Sequence, residues 1–146
     1  MKVAIEYADE GDLDSLREHH HRVSAKVLKK KLLAEEVLVA RCKGQIVGWL
    51  TYTLLYDTVP FINLLGVAEG CRGEGLGTQL VQFWEDEVKR AGADSVMTSS
   101  MANEQGQHFW RKLGYKDVGG VLLADEPLEV FFRKDFGKSG AAESGH

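Results

Sequence analysis

The sequence has little of what marks several common protein classes. It contains only two cysteines, Cys42 and Cys71, without metal-ligand spacing, so neither a disulfide framework nor a zinc site is expected. No apolar run is long enough to cross a membrane, and the N-terminus reads as a short strand rather than a signal peptide. The net charge of −4 disfavours nucleic-acid binding, which requires a basic face. Together, these absences favour a soluble cytoplasmic protein.

The length and composition indicate one globular domain. A chain of 146 residues with 44% hydrophobic residues can bury one hydrophobic core and is too short to form two cores of adequate size. We expect the domain to span residues 1–136. Residues 137–146 are rich in Gly, Ser and Ala and are predicted to form a flexible tail.

Apolar periodicity predicts seven strands and four helices. Strands are expected at 3–5, 37–40, 46–56, 61–67, 95–98, 115–123 and 128–133. Helices are expected at 9–23, 24–33, 76–90 and 103–113.

The most informative segment is the glycine-rich stretch 72–78, between the strand at 61–67 and the helix that follows. A strand, a glycine turn and a helix start can cradle a phosphate, because glycines admit an anion close to the backbone and the helix start presents unpaired N–H groups. The dinucleotide fingerprint fails because Thr78 stands where its third glycine would be, and no P-loop string occurs. The remaining pattern is Arg72-x-x-Gly75-x-Gly77.

A second segment, 103–115, reads Asn-Glu-Gln-Gly-Gln-His-Phe-Trp-Arg-Lys-Leu-Gly-Tyr. The two segments resemble the Q/R-x-x-G-x-G/A and N-x-x-A/G-x-x-F-Y-x-x-x-G-F/Y motifs of the GNAT acetyltransferases, at the separation typical of that family. The resemblance covers nearly the whole chain apart from the tail. It implies an α/β (α+β) fold with a mixed, mostly antiparallel central sheet flanked by helices on both faces.

The resemblance also implies acetyl-CoA as cosubstrate, with no metal and no covalent intermediate. Its pyrophosphate would lie on the glycine turn, formed by Arg72, Gly73, Gly75, Leu76, Gly77 and Thr78. Arg72 can add a charge-assisted hydrogen bond, and Thr78 supplies a hydroxyl in the first helical turn. The pantetheine arm would pair with the backbone at Leu65 and Val67, as an added strand does. The alternative is that Gly75 and Gly77 only permit a tight turn.

The second motif implies further cofactor contacts at Asn103, Phe109 and Trp110. Asn103 has an alternative role as the N-cap of the following helix, and Phe109 has one in ordinary core packing. Trp110 replaces the tyrosine that many family members use to protonate the leaving thiolate. An indole N–H cannot transfer a proton, so the catalytic role left to Trp110 is to stabilise the developing thiolate as a hydrogen-bond donor. Tyr115 is considered as a substitute acid.

The general base is not identified by any motif. An amine acceptor must lose a proton before it attacks the thioester, so a carboxylate or an ordered water is expected. The candidates are Glu35, Glu36, Asp57 and His108, of which Asp57 is retained. His19-His20-His21 cannot converge on one ion, because successive helical residues project about 100° apart. The histidines are interpreted as a partly exposed helix segment that borders the acceptor pocket in the family.

The sequence thus predicts an N-acetyltransferase that moves acetyl from acetyl-CoA to a primary amine by direct attack in a ternary complex. The acceptor would be a small-molecule or peptide amine, with no nucleic-acid or membrane partner. The alternative is a GNAT-like acyl-CoA-binding regulatory domain without turnover, which the replacement at Trp110 keeps open. A homodimer is compatible with the sequence and is not specified by it.

Overall fold

A computed structural model describes residues 2–137. The strands are β1 (Ala4–Tyr7), β2 (Val37–Cys42), β3 (Gln45–Leu55), β4 (Val59–Val67), β5 (Ser95–Met101), β6 (Lys116–Val121) and β7 (Glu129–Asp135). The helices are α1 (Leu13–Arg17), α2 (Ala25–Leu33), α3 (Leu76–Arg90) and α4 (Gly106–Lys112), with 3₁₀ turns at Glu10–Asp12 and Glu69–Cys71. No helix within 2–137 is both long and apolar enough to span a membrane. The predicted tail lies outside the described residues, apart from Gly137.

The strands form a seven-stranded sheet in the order β1-β2-β3-β4-β5-β7-β6. β4 and β5 are parallel, whereas β1–β2, β2–β3, β5–β7 and β6–β7 are antiparallel. Parallel neighbours need a long crossover connection, and here that connection contains α3. The expected mixed, mostly antiparallel α/β fold is therefore confirmed.

Local sequence signals set several element ends. Lys43 and Gly44 make the β2–β3 turn with φ of 52° and 80°, the paired positive values typical of a two-residue hairpin. The Ser24 side chain caps α2 by accepting a hydrogen bond from the Val27 N–H. Gly92 follows α3 with φ of 108°, as a C-terminal glycine does.

The predicted helix over 9–23 is wrong beyond Arg17, where α1 ends. The chain then makes successive turns, in which the His19 N–H donates to the Leu16 carbonyl and the Val23 N–H donates to the His20 carbonyl. His20 is buried, whereas His19 and His21 are exposed. It reaches the core from a turn rather than from a helix.

The described residues divide into two compact units. The first contains residues 2–53 and 63–84, and its core joins α1 and α2 to β2 and β3 through Leu16, Leu28, Leu32, Val37, Val39 and Trp49. The second contains 54–62 and 85–137, with Val88, Val96, Trp110, Tyr115 and Phe132 buried. One domain over residues 1–136 stays a prediction.

Candidate active site

The glycine turn adopts the backbone conformation that its sequence favours. Gly73 and Gly75 have φ of 82° and 80°, in the left-handed region that residues with a Cβ rarely adopt. The Gly75 carbonyl accepts from the Gln79 N–H at 3.0 Å, so α3 begins directly after this glycine. A Cβ added at either glycine would meet no atom within 4 Å. The space beside both glycines is therefore open.

Arg72 links the turn to the end of β4. Its Nε donates to the Val67 carbonyl at 3.2 Å, and its side chain is exposed. Arg72 forms no ion pair with any of residues 2–137, so the rest of its guanidinium is not neutralised by a described carboxylate. The first N–H groups of α3 also lack intrahelical acceptors, as at every helix start. This set of cationic and N–H donors fits a pyrophosphate.

The start of α3 is fixed against β3. Leu76 and Leu80 are 2% and 0% exposed, and a Cβ at Gly48 of β3 would lie 2.9 Å from Leu80 Cδ1. The missing side chain at Gly48 thus lets the helix approach the strand closely. Because the Leu76 side chain is buried, its predicted cofactor contact could come only from its backbone. Gly77 and Thr78 are half-buried in the first turn of α3.

The end of β4 carries the two residues whose backbone is predicted to pair with the cofactor arm. Leu64 packs against the core of the first unit, so Leu65 and Val67 project from the other face of the strand. The Ala68 N–H donates to the Val47 carbonyl at 2.8 Å, which ties this end of the strand to β3. Leu65 and Val67 are both half-buried.

The second motif lies in the second unit. Asn103 is exposed in a turn, and α4 begins at Gly106 with Gln105 as its N-cap residue. The expectation that Asn103 caps this helix is therefore wrong, because the turn continues for two residues beyond it. A Cβ at Gly106 would lie 2.8 Å from Ser100 Oγ, so a side chain at this position would require the serine hydroxyl to move. The predicted cofactor contact of Asn103 stays a prediction.

The aromatic residues of the second motif pack on one another. Trp110 is 5% exposed, and its ring lies edge-on to Phe109 at 5.0 Å and to Tyr115 at 5.1 Å between centroids. Phe109 is half-buried. This packing accounts for the large side chain at Trp110 without requiring a catalytic role.

Tyr115 belongs to a buried polar cluster that the sequence patterns do not predict. Its hydroxyl donates to Glu85 Oε2 at 2.8 Å, and Lys134 Nζ donates to Glu85 Oε1 at 2.9 Å. Burial raises the pKa of the Tyr115 hydroxyl, and the Glu85 carboxylate raises it further. This environment makes Tyr115 a poor proton donor. The available signal was the position of Glu85, four residues after buried Val81 on the apolar side of α3.

The candidate bases occupy exposed or engaged positions. Asp57 lies with Tyr56 in the β3–β4 turn, where φ is 61° and 54°, and both side chains are exposed. Glu35 and His108 are exposed as well. Glu36 lies 3.4 Å from Lys31 Nζ. Over residues 2–137, no three His, Cys, Asp or Glu side chains are arranged to hold a metal ion.

Solved structures of very different sequence share this fold. Ard1 from Thermoplasma volcanium gives a TM-score of 0.84 at 16% identity, covering 94% of this chain and 100% of that chain. The putative acetyltransferase YncA from Salmonella typhimurium, solved with acetyl-CoA, gives 0.79 at 16% identity over 96% and 97%. Naa50 from Arabidopsis thaliana, solved with the bisubstrate analogue CoA-Ac-MVNAL, gives 0.77 at 17% identity over 93% and 100%.

The sequence matches a family model but no individual curated protein. No curated protein matches the chain significantly. The model of the "Acetyltransferase (GNAT) family" matches residues 5–115, which is well over half of the sequence. With this match, the two motifs and the shared fold, the chain belongs to the acetyltransferase (GNAT) family.

Proposed function

We propose that this protein is an N-acetyltransferase that moves the acetyl group of acetyl-CoA to a primary amine. The observation that carries the proposal is the turn 72–78, in which Gly73 and Gly75 leave open space directly before the start of α3. Pyrophosphate oxygens would accept hydrogen bonds from the backbone N–H groups of Gly73, Gly75, Leu76, Gly77 and Thr78 and from Arg72. Family membership supports acetyl-CoA as the ligand.

The remaining cofactor contacts complete the proposal. The backbone at Leu65 and Val67 pairs with the amide-bearing pantetheine arm, and Asn103, Phe109 and Trp110 supply further contacts. Acetyl transfer then proceeds by direct attack. The amine nitrogen bonds to the thioester carbonyl carbon, the C–S bond breaks, the CoA thiolate leaves, and the amine proton passes to a base or to solvent. Holding the two reactants together supplies much of the rate.

The buried environment of Tyr115 favours a route in which the thiolate leaves without a protein acid. A thiol has an ordinary pKa of about 8.5, so its thiolate is a tolerable leaving group near neutral pH. Asp57 is retained as a candidate base, with water as the alternative. The proposal includes a cytoplasmic location and a small-molecule or peptide amine as acceptor. The Naa50 complex with a peptide-bearing analogue makes peptide N-termini the first acceptors to examine.

The test is release of CoA thiol from acetyl-CoA in the presence of individual amines: peptides with free N-termini, polyamines and aminoglycosides. Mass spectrometry should show an addition of one acetyl group to the amine that stimulates release. N-terminally blocked peptides without lysine serve as the matched control and should give no stimulation. Acetyl-CoA binding without turnover on every amine would contradict the proposed activity.

A further inference from the structure

Gly66, the residue between Leu65 and Val67, is covered by the indole of Trp49. A Cβ built on Gly66 would lie 2.4 Å from Trp49 Cε2 and Nε1 and 2.6 Å from Cζ2. Atoms do not approach so closely in packed proteins, so the indole fills the volume that a side chain at position 66 would need. Trp49 therefore packs directly on the main chain of β4.

The indole itself is held in place. Trp49 is 7% exposed and belongs to the core cluster that includes Leu16 and Leu28. The His19 imidazole stacks on it with a centroid separation of 3.8 Å and an interplanar angle of 16°. Such a pair contributes beyond the area that it buries. The indole is thus fixed by its own core and by the loop between α1 and α2.

The next residue in this loop, His20, anchors His19. The His20 Nδ1 donates to the Leu16 carbonyl at 2.8 Å, which leaves Nε2 to accept from the Thr51 hydroxyl at 2.7 Å. Thr51 follows Trp49 by two residues in β3, so their side chains share one face of the strand. Two successive histidines therefore attach the loop to two successive positions on that face.

We propose that Trp49, supported by His19, is a positioning residue for the cofactor. Trp49 fixes the main chain of β4 at Gly66. It thereby fixes the N–H and C=O groups of Leu65 and Val67, which pair with the pantetheine arm under the proposed function. The inference rests on that function. Hydrogen bonds weaken steeply when donor and acceptor are misaligned, and a binding site tolerates displacements of only about 0.5 Å. The Arg72–Val67 hydrogen bond ties the same strand end to the glycine turn. A shift at Gly66 would thus disturb both the strand end that pairs with the pantetheine arm and the glycine turn 72–78 that binds the pyrophosphate.

The test perturbs the contact from both sides. Gly66→Ala adds a methyl group against the indole, whereas Trp49→Phe removes part of the ring system and keeps an aromatic partner for His19. We expect Gly66→Ala to raise the Kd for CoA and the KM for acetyl-CoA about tenfold, with a smaller change in kcat. The double variant Gly66→Ala/Trp49→Phe should recover most of this loss. Phe132→Leu, a core change in the second unit, calibrates the effect of reduced stability alone.

A second pair of variants leaves the core intact. His19→Ala removes the stack and should raise the KM for acetyl-CoA about two- to tenfold, the range expected for one aromatic pair. His19→Phe should restore the wild-type value. Melting temperatures identify variants that are not folded at the assay temperature, and these are compared at a lower temperature.

The results distinguish the inference from the proposed function. Wild-type CoA affinity in folded Gly66→Ala and His19→Ala would overturn the positioning role and leave the proposed function in place. Failure of the double variant and of His19→Phe to recover affinity would also overturn it, because a positioning contact should be restored by its complement. Absence of CoA binding by the wild-type chain would overturn the proposed function and this inference with it.

Discussion

The hydroxyl of Tyr115 donates a 2.8 Å hydrogen bond to Oε2 of Glu85. Lys134 donates to the other carboxylate oxygen, so this buried charge is compensated from two sides. An unpaired buried carboxylate is costly, and its partners therefore contribute to the free energy of unfolding. We therefore expect Tyr115 to stabilise the second unit rather than to transfer a proton.

Replacing Tyr115 should consequently separate stability from catalysis. We expect Tyr115→Phe to lower the free energy of unfolding by about 1–3 kcal/mol, because Glu85 loses a buried donor. The kcat for acetyl transfer should change little. Urea denaturation and thiol release measure the two quantities, with Tyr56→Phe, at an 87% exposed position, as the control. A folded Tyr115→Phe with a large loss of kcat would instead support the acid role.

Asp57 can be tested with little effect on the fold. Asparagine adopts positive φ in two-residue turns as readily as aspartate does, so Asp57→Asn should preserve the β3–β4 turn while removing the carboxylate. If water or another group accepts the amine proton, kcat/KM and its pH profile should stay at wild-type values. Loss of activity that is regained at alkaline pH, where more of the amine is deprotonated, would identify Asp57 as the base.

The burial of His20 should make the stability of the protein depend on pH. Burial lowers the pKa of its imidazole, and the charges of His19 and His21 lower it further. The unfolded chain therefore binds a proton more readily than the folded chain once the pH falls below about 6.5. The contribution of His20 should be complete above that pH and should decline as the pH falls.

The measurement is the urea midpoint between pH 7.5 and pH 5.5. We expect His20→Gln to be less stable near neutral pH and to lose less stability on acidification than the wild-type chain. His21→Gln, at an exposed position in the same loop, serves as the control. Equal acid sensitivity in His20→Gln and in the wild type would show that another group is responsible.

The sequence predicted the elements whose signals are local. Positive φ at Gly73 and Gly75 follows from the glycines of the predicted turn 72–78. Helix 9–23 was overextended, because an apolar spacing of three and four residues also occurs when successive turns return His20 to the core. The N-cap prediction for Asn103 was wrong because capping depends on where the helix starts, and α4 starts at Gly106.

The side-chain contacts between residues far apart in the chain could not be predicted from the sequence. Glu85 and Tyr115 are thirty positions apart, and nothing in the spacing pairs them. His19 and Trp49 stack because the α1–α2 loop lies over β3. A glycine is needed at position 66 of β4 because the Trp49 indole of β3 fills the space of a side chain there. A motif predicts backbone conformation near itself, whereas such contacts depend on the register of distant strands.

The most direct test of the cofactor assignment is the acetyl-CoA-dependent rise in melting temperature of Gly75→Glu. Its control is Gly44→Glu, which puts the same side chain into a turn of the same φ, 80°, where a Cβ also meets no neighbour within 4 Å. Acetyl-CoA at 100 times its Kd should stabilise the wild type and Gly44→Glu by about 2.7 kcal/mol. It should not stabilise folded Gly75→Glu, because the new carboxylate occupies the site and repels the pyrophosphate. An undiminished rise in Gly75→Glu would contradict the assignment of the turn 72–78 to acetyl-CoA.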